Sequence, residues 1–329
     1  MQFTTSCPTR IDLAGGTIDI WPLYLFHPGA LTLNAAISLR ATARIETRSD
    51  ERIVIRSEDT GRTVEADDWR QLREQKELRL LSLIAHFFEA RGLTLTTSSE
   101  SPAGAGIAGS SALNVAVCAA FADWRRQHYE PEALLQIAMN IEAQTIAVPT
   151  GLQDYRPALY GGIAALELDV DGIHRSALDV DPSELERRIV LCYTGEPRNS
   201  GTNNWEITKK HIDGDTHVFD CFERIRDTAA SMRTALVRSD WDAVGRAIAE
   251  EWANRKRLAP GVTTPAIEDL IARATAAGAT AAKICGAGGG GCLFCYGPPQ
   301  ARDAIERSLA DGGARLLPFA IERHGLVRG

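Results

Sequence analysis

Much is missing from this chain of 329 residues, and each absence narrows its function. It has no surplus of positive charge: 36 Lys and Arg stand against 43 Asp and Glu, a formal net charge of −7. Nucleic acid and an anionic membrane surface are therefore poor partners for it. It has no apolar run of the ~18–20 residues that cross a bilayer. No basic-then-apolar stretch stands at its start, where Met1-Gln2-Phe3-Thr4-Thr5 leads into a predicted strand. Its cysteines, Cys7, Cys118, Cys192, Cys221, Cys285, Cys292 and Cys295, are odd in number and mostly sit in apolar strings. That suits buried thiols in a reducing cytoplasm, which is the expected compartment. Cys292-Leu293-Phe294-Cys295 has C-x-x-C spacing, but in a strand positions three apart face opposite sides. Neither a second cysteine pair nor a histidine pair completes a zinc site. Two phosphate signatures are absent as well. No Gly-Lys-Ser/Thr follows the glycines at 104–109, and neither Rossmann glycine spacing nor its acidic residue is found there.

What is present is a soluble globular composition, 44% apolar and 24% charged, in a length that holds one large domain or two ordinary ones. The chain is organised around Ser101-Pro102-Ala103-Gly104-Ala105-Gly106-Ile107-Ala108-Gly109-Ser110-Ser111-Ala112. A Gly-rich loop that feeds an alanine-rich helix leaves backbone N–H groups unobstructed, and the helix dipole adds positive charge. Phosphate is the natural guest. The bland alternative is a small-residue cap that lets two elements pack closely.

In chain order, residues 1 to 20 read as a strand and a turn, with Arg10 and Asp12 on one face and Asp19 brought round by Gly15-Gly16. Leu31 to Thr47, Arg52 to Arg56 and Arg62 to Ala66 form a β meander. Trp69 to Gly92 has helical spacing, Leu93 to Thr97 is a strand, and Pro131 to Ile146 is a helix with Glu142 near its end, against the dipole. A turn-rich loop carries Asp154. Ile163 to Leu168 and Ile173 to Leu178 form a hairpin around Asp171-Gly172. Residues 181 to 187 read as a boundary. Beyond it come a strand (188–193), the loop Thr194 to Asn204, helices near 216–238, 240–256 and 264–277, and a strand at 280–285. The glycine run Gly286 to Gly291, a strand at 292–296, a helix at 300–310 and a last strand at 314–319 follow. The glycine run demands a close backbone approach, by a crossing strand or by a ligand.

Three of these segments together resemble the GHMP small-molecule kinases, named for galactokinase, homoserine kinase, mevalonate kinase and phosphomevalonate kinase. They are Cys7-Pro8-Thr9-Arg10-Ile11-Asp12-Leu13-Ala14-Gly15-Gly16, the loop Pro102 to Ala112, and Lys283-Ile284-Cys285-Gly286-Ala287-Gly288-Gly289-Gly290-Gly291. The resemblance spans nearly the whole chain and is strongest to the heptose-phosphate kinase and fucokinase branch. It departs at the first motif, where the branch's third glycine before the threonine is absent. It implies an α+β fold of two domains: residues 1–183 like the second domain of ribosomal protein S5, and residues 184–329 ferredoxin-like. ATP and Mg²⁺ are the implied cofactors. Pro102, Gly104, Ala105, Gly106, Ala108, Gly109, Ser110 and Ser111 would hold the triphosphate, and Ser111 and Glu142 the metal. Asp154 matches the catalytic base and Arg10 the basic residue that meets the transferring phosphoryl group. Asp19, Gly16, Thr17, Gly288 and Gly289 would face the substrate. Arg156, Arg198 and the cluster Arg255-Lys256-Arg257 are the cations available to a second phosphate, or else surface charges. The region 57–90 would supply the adenine pocket.

The expected function is transfer of phosphate from ATP to a hydroxyl of a sugar or sugar phosphate, such as a heptose 7-phosphate at its anomeric position. The rivals are a mevalonate-type kinase and a non-catalytic sugar and nucleotide sensor. Asp19 and the Thr194–Ser200 loop favour a sugar, and the joint presence of Asp154, Glu142, Ser111 and Arg10 speaks against a sensor. The partner is a small molecule, with neither nucleic acid nor membrane. A homodimer is compatible with the sequence, which does not reveal the oligomeric state.

Overall fold

A computed structural model describes residues 1–197 and 200–329. The first half is built on β1 (Gln2–Ala14), β2 (Leu31–Thr47), β3 (Ile53–Ser57) and β4 (Arg62–Ala66), then α1 (Arg79–Phe87), β5 (Leu93–Ser99), α2 (Gly109–Arg125), α3 (Pro131–Ile146) and α4 (Tyr155–Tyr160), and the hairpin β6 (Ile163–Asp169) and β7 (Gly172–Ala177). The second half holds α5 (Pro182–Arg188), β8 (Ile189–Tyr193), α6 (Ser200–Ile212), α7 (Thr216–Val237), α8 (Trp241–Arg255), α9 (Pro265–Ala276), β9 (Ala281–Ile284), β10 (Cys292–Tyr296), α10 (Arg302–Asp311), β11 (Arg315–Leu316) and β12 (Val327–Arg328). Among the described residues no helix is long and apolar enough to cross a membrane.

Strand β2 is the spine of the first sheet. It pairs along its length with β1, and on its other edge first with β6 and then with β5. The β1–β2 register shifts between Pro8 and Thr9, where Pro8 pairs with Arg40 but Thr9 with Ile37. A proline has no N–H to give a ladder, so a bulge is where a strand tolerates it. Behind the bulge Cys7 joins the core under α2 and α3; beyond it Ile11 and Leu13 join a different core. Arg10 and Asp12 lie on the intervening face, as the alternation predicts.

The second sheet runs β11-β8-β10-β9, antiparallel throughout, which is the ferredoxin-like order. Its strands alternate between two cores. Cys292 and Phe294 face the core shared with Ile11, Leu13 and Leu33 of the first sheet, whereas Leu293 and Cys295 face the core under α9 and α10. The two cysteines of the C-x-x-C thus lie on opposite faces. The chain then turns back. Ser38 N–H donates to Ala320 O (2.9 Å), Glu322 N–H to Ala36 O (2.9 Å), and β12 pairs with β1 at Thr5 and Ser6.

The structure differs from the expected elements in four places. The Trp69–Gly92 helix is a 3-10 turn (Trp69–Glu74) and α1, separated because Leu78 takes a left-handed φ of 45°. Residues 182–188 form a helix, α5, capped by the Asp181 carboxylate on Ser183 N–H. Helix α6 begins inside the segment expected to be a loop to Asn204. The strand expected at 314–319 is ordered as a ladder only at Arg315 and Leu316.

Candidate functional site

Strand β5 delivers the chain to the glycine loop. Ser99, Ser101, Pro102 to Gly106, Ala108, Gly109, Ser110, Leu113 and, from the β3–β4 turn, Asp59 line a cavity of about 250 Å³. Ala108 caps α2 in the left-handed region (φ 61°), an uncommon place for a residue with a Cβ. The first N–H groups of α2 have no helical acceptor and open on this cavity with the positive end of the dipole, which suits an anion. The loop is braced from behind by the second glycine run. A Cβ on Gly291 (φ +85°) would lie 2.6 Å from Ala105 O, and Cys292 N–H donates to that same carbonyl at 2.6 Å. The close approach demanded by that run is therefore made by backbone. Gly289 N–H donates to Val262 O (2.9 Å), and a Cβ on Gly288 would meet the same oxygen at 2.4 Å. Both glycines are occupied by the chain itself at these points.

Glu142, on α3, is buried beside the start of α2. Its carboxylate accepts hydrogen bonds from Ser110 Oγ (2.8 Å), Ser111 Oγ (3.1 Å) and Tyr155 Oη (2.6 Å). Burial pushes its pKa up, opposed by the hydrogen bonds from Tyr155 and Ser110. Among the described residues no Lys, Arg or His forms an ion pair with it. One buried carboxylate and adjacent hydroxyls are hard oxygen donors short of a counter-charge, and they fit Mg²⁺, which takes few protein ligands and keeps several waters. Among the described residues no three His, Cys, Asp or Glu gather as a metal cage.

Next to this cavity Arg10 and Asp154 meet across 144 positions. Arg10 Nε donates to Asp154 Oδ1 (3.1 Å), Nη2 donates to the same oxygen, and Nη1 donates to Gly106 O (3.0 Å). Arg10 is 1% exposed and Asp154 22%, so the carboxylate is the accessible member of the pair. Burial opposes the charge of Arg10, but Asp154 and Asp12 hold it firmly protonated. Asp19 is buried one step away. It accepts from Gln153 N–H (2.9 Å) and Nε2 (3.4 Å), and Ile20 bridges Gly151. Burial, then the nearby Asp154 charge, push its pKa up to about 6.

Behind Arg10 lies a fully buried group of charges. Asp12 accepts from Lys283 Nζ on both Oδ2 (3.3 Å) and its main-chain O (3.0 Å), and from Gly286 N–H on Oδ1 (3.2 Å). Arg255 donates to Glu251 through Nε (3.0 Å) and Nη2 (2.8 Å), and to Gly286 O (2.9 Å) and Thr17 Oγ1 (3.2 Å) through Nη1. Burial pushes the Asp12 pKa up, but Lys283, Arg10, Arg255 and the Gly286 N–H together take it below its ordinary value. Gly16 lies against this group: a Cβ there would be 2.4 Å from Arg255 Nη2 and 2.8 Å from Asp12 Oδ2.

Of the residues expected at the site, the structure brings together the 102–111 loop, Glu142, Arg10, Asp154 and Asp19. Gly16 and Thr17 touch the buried charges. Arg156 is turned away: its guanidinium bonds Glu132 (2.5 Å) and Leu152 O (3.2 Å). Arg255 is fully engaged inside the protein and Lys256 pairs with Glu268 (3.5 Å). Arg198 lies outside the described residues. Tyr155, Gln153, Glu251 and Lys283 were not marked by the sequence as site residues, and Asp12 was marked only through its place beside Arg10 and Asp19 at the Gly15-Gly16 turn. The signal for Lys283 is a lone lysine inside the apolar Ala281–Cys285 string, and for Glu251 its i,i+4 spacing to Arg255.

Comparison with known proteins matches the chain to two family models and to relatives along nearly its whole length. The family described as GHMP kinases N terminal domain matches residues 76–162, and GHMP kinases C terminal matches residues 232–315. A D-glycero-alpha-D-manno-heptose 7-phosphate kinase of Campylobacter jejuni is 29% identical over 98% of this chain and 97% of that protein. An L-fucokinase/L-fucose-1-P guanylyltransferase of Bacteroides fragilis is 26% identical over 97% of this chain, which spans 37% of that longer protein. A crystal structure of a D-glycero-D-manno-heptose 1-phosphate kinase of Bacteroides thetaiotaomicron superposes with a TM-score of 0.80 at 25% identity, over 99% of this chain and 98% of the other.

Proposed function

The chain belongs to the GHMP kinase family, and from that premise we propose that it transfers the γ-phosphate of ATP to a hydroxyl of a sugar phosphate. The triphosphate occupies the cavity of the 102–111 loop, where the N–H groups of α2 meet its oxygens. Ser111 and Glu142 would hold Mg²⁺, which would offset phosphate charge. Asp154 takes the proton of the attacking hydroxyl, and Arg10 fixes the carboxylate and faces the transferred group. Asp19 accepts hydrogen bonds from sugar hydroxyls. The observation that carries this reading is the Arg10–Asp154 pair: a solvent-reachable carboxylate fixed by a buried arginine that also bonds the phosphate loop at Gly106.

Heptose 7-phosphate, phosphorylated at the anomeric hydroxyl, is our first candidate acceptor, by likeness to the Campylobacter jejuni relative. Arg156 and Arg255 are not free to meet its existing phosphate. We also take the division between the halves to fall near residue 183, in the first turn of α5.

An ADP-release assay with Mg-ATP tests this against free hexoses, fucose, heptose 7-phosphate, hexose phosphates and mevalonate. Turnover on a sugar or sugar phosphate is expected, falling on the order of 10²–10⁴-fold in Asp154→Asn with ATP binding retained by calorimetry. Turnover on mevalonate alone would overturn the sugar reading, and full activity in Asp154→Asn would overturn the assignment of the base.

A further inference from the structure

Arg10, Asp12, Glu251, Arg255 and Lys283 are each at most 1% exposed. Burying so many charges is costly, and for stability alone well-packed apolar residues of similar volume would often serve as well or better. The donors of Arg255 and Lys283 are engaged inside the protein, so neither side chain is available to a substrate. Their influence on the chemistry must therefore pass through another residue.

That residue is Arg10, which stands between two carboxylates on opposite sides of one guanidinium. It makes hydrogen bonds to Asp154 through Nε and Nη2, while Nη1 donates to Gly106 O (3.0 Å) and makes only an ion pair at 3.8 Å to Asp12. Asp12 is the more deeply buried of the two and would be the stronger competitor for a cation. It does not capture Arg10, because its oxygens are already served. Oδ1 has the Gly286 N–H, Oδ2 has Lys283 at 3.3 Å, and Arg255 Nη2 lies 3.6 Å from Oδ2. Lys283 and Arg255 are in turn held by Glu251, at 3.1 and 2.8 Å. Asp12 comes from β1 in the first half. Lys283, Arg255 and Glu251 come from β9 and α8 in the second.

We infer that Lys283 and Arg255 are positioning residues for phosphoryl transfer: by saturating Asp12 they leave Arg10 on Asp154, so the second half of the chain sets the geometry of a reacting pair supplied by the first. This rests on the reading of Asp154 as the catalytic base.

The test is a charge-balanced rescue. Lys283→Met removes one cation from Asp12, and kcat should fall on the order of 10-fold or more, while KM for ATP stays within about 2-fold. Adding Asp12→Asn removes the competing anion, and the Asp12→Asn/Lys283→Met protein should recover kcat to within about 3-fold of the parent. A merely structural role gives the opposite order, with the double variant no better than the single. Crystal structures of both variants supply a readout independent of turnover: Arg10 should swing to Asp12 in the single and return to Asp154 in the double. If Lys283→Met does not fold, Asp12→Asn and the double variant remain to be compared, and each should keep the Arg10–Asp154 pair. A double variant as impaired as the single, or Arg10 unmoved in the single, would overturn the inference. Should the parent protein turn over none of the acceptors, the proposed function fails, and the position of Arg10 in the crystals still decides this point.

Discussion

At the scale of single residues, the site is a set of carboxylates given different tasks by their surroundings. Asp12 is kept ionised by cations, Glu142 is held by hydroxyls, and Asp19 has only amide donors and a pKa of about 6. In the role proposed for it, an ionised Asp19 would accept sugar hydroxyls, and a protonated one would give up part of that capacity. The KM for the sugar should therefore rise as pH falls through about 6, and Asp19→Asn should raise KM at neutral pH and flatten its pH dependence. Initial rates between pH 5 and 8 check this. The sign for folding is the reverse: because the folded pKa lies above the ordinary 3.8, stability from this group is full below pH 4 and is lost as pH rises through 6. Arg10, Asp19, Glu142 and Asp154 were singled out in the sequence through the family resemblance, and the structure brings the four into one neighbourhood. Lys283 and Glu251 were not: Lys283 takes its meaning from Asp12 on β1, more than 200 positions away, and Glu251 from holding Lys283 and Arg255, a grouping that only the folded chain supplies.

At the scale of elements, loops are held by backbone as much as by side chains. Gly291→Ala would place a methyl 2.6 Å from Ala105 O at a φ unfavourable to alanine. We expect it to cost about 1–3 kcal/mol in denaturant unfolding and to raise KM for ATP, because the displaced strand is the one that braces the phosphate loop. Tyr155→Phe removes one donor from Glu142 without removing bulk. The Mg²⁺ concentration for half-maximal activity should increase, read from a metal titration at fixed ATP, since a carboxylate with fewer donors is less readily ionised. Helices α3, α7, α8 and α9 were legible nearly to the residue, because their apolar spacing is regular and two of them begin with a proline. Helix α6 was missed, because its start, Ser200-Gly201-Thr202-Asn203-Asn204, has the composition of a loop. The bulge at Pro8 left a trace in the proline itself, yet which two residues of β2 it skips depends on the partner strand.

At the scale of the whole molecule, the two sheets share one continuous core in which Phe294 and Leu191 of the second meet Ile11 and Leu33 of the first. Unfolding should accordingly be a single transition, coincident by far-ultraviolet circular dichroism and tryptophan fluorescence. Phe294→Ala should lower both together by about 3–5 kcal/mol; two separated transitions would contradict a shared core. The sequence indicated two units, and the resemblance a ferredoxin-like second one, but not that a shared apolar core joins them beside the buried charges of Asp12, Arg255 and Lys283, because a buried position looks alike whichever side covers it. The return of the chain after Phe319 has a further consequence. Strand β1 leaves the ribosome some 320 residues before β12, which borders it. The first sheet stays open at that edge throughout synthesis, with Arg40 lacking its acceptor at Gly325 O. During that interval the unfinished edge is a surface for chaperones to cover, until β12 closes on β1.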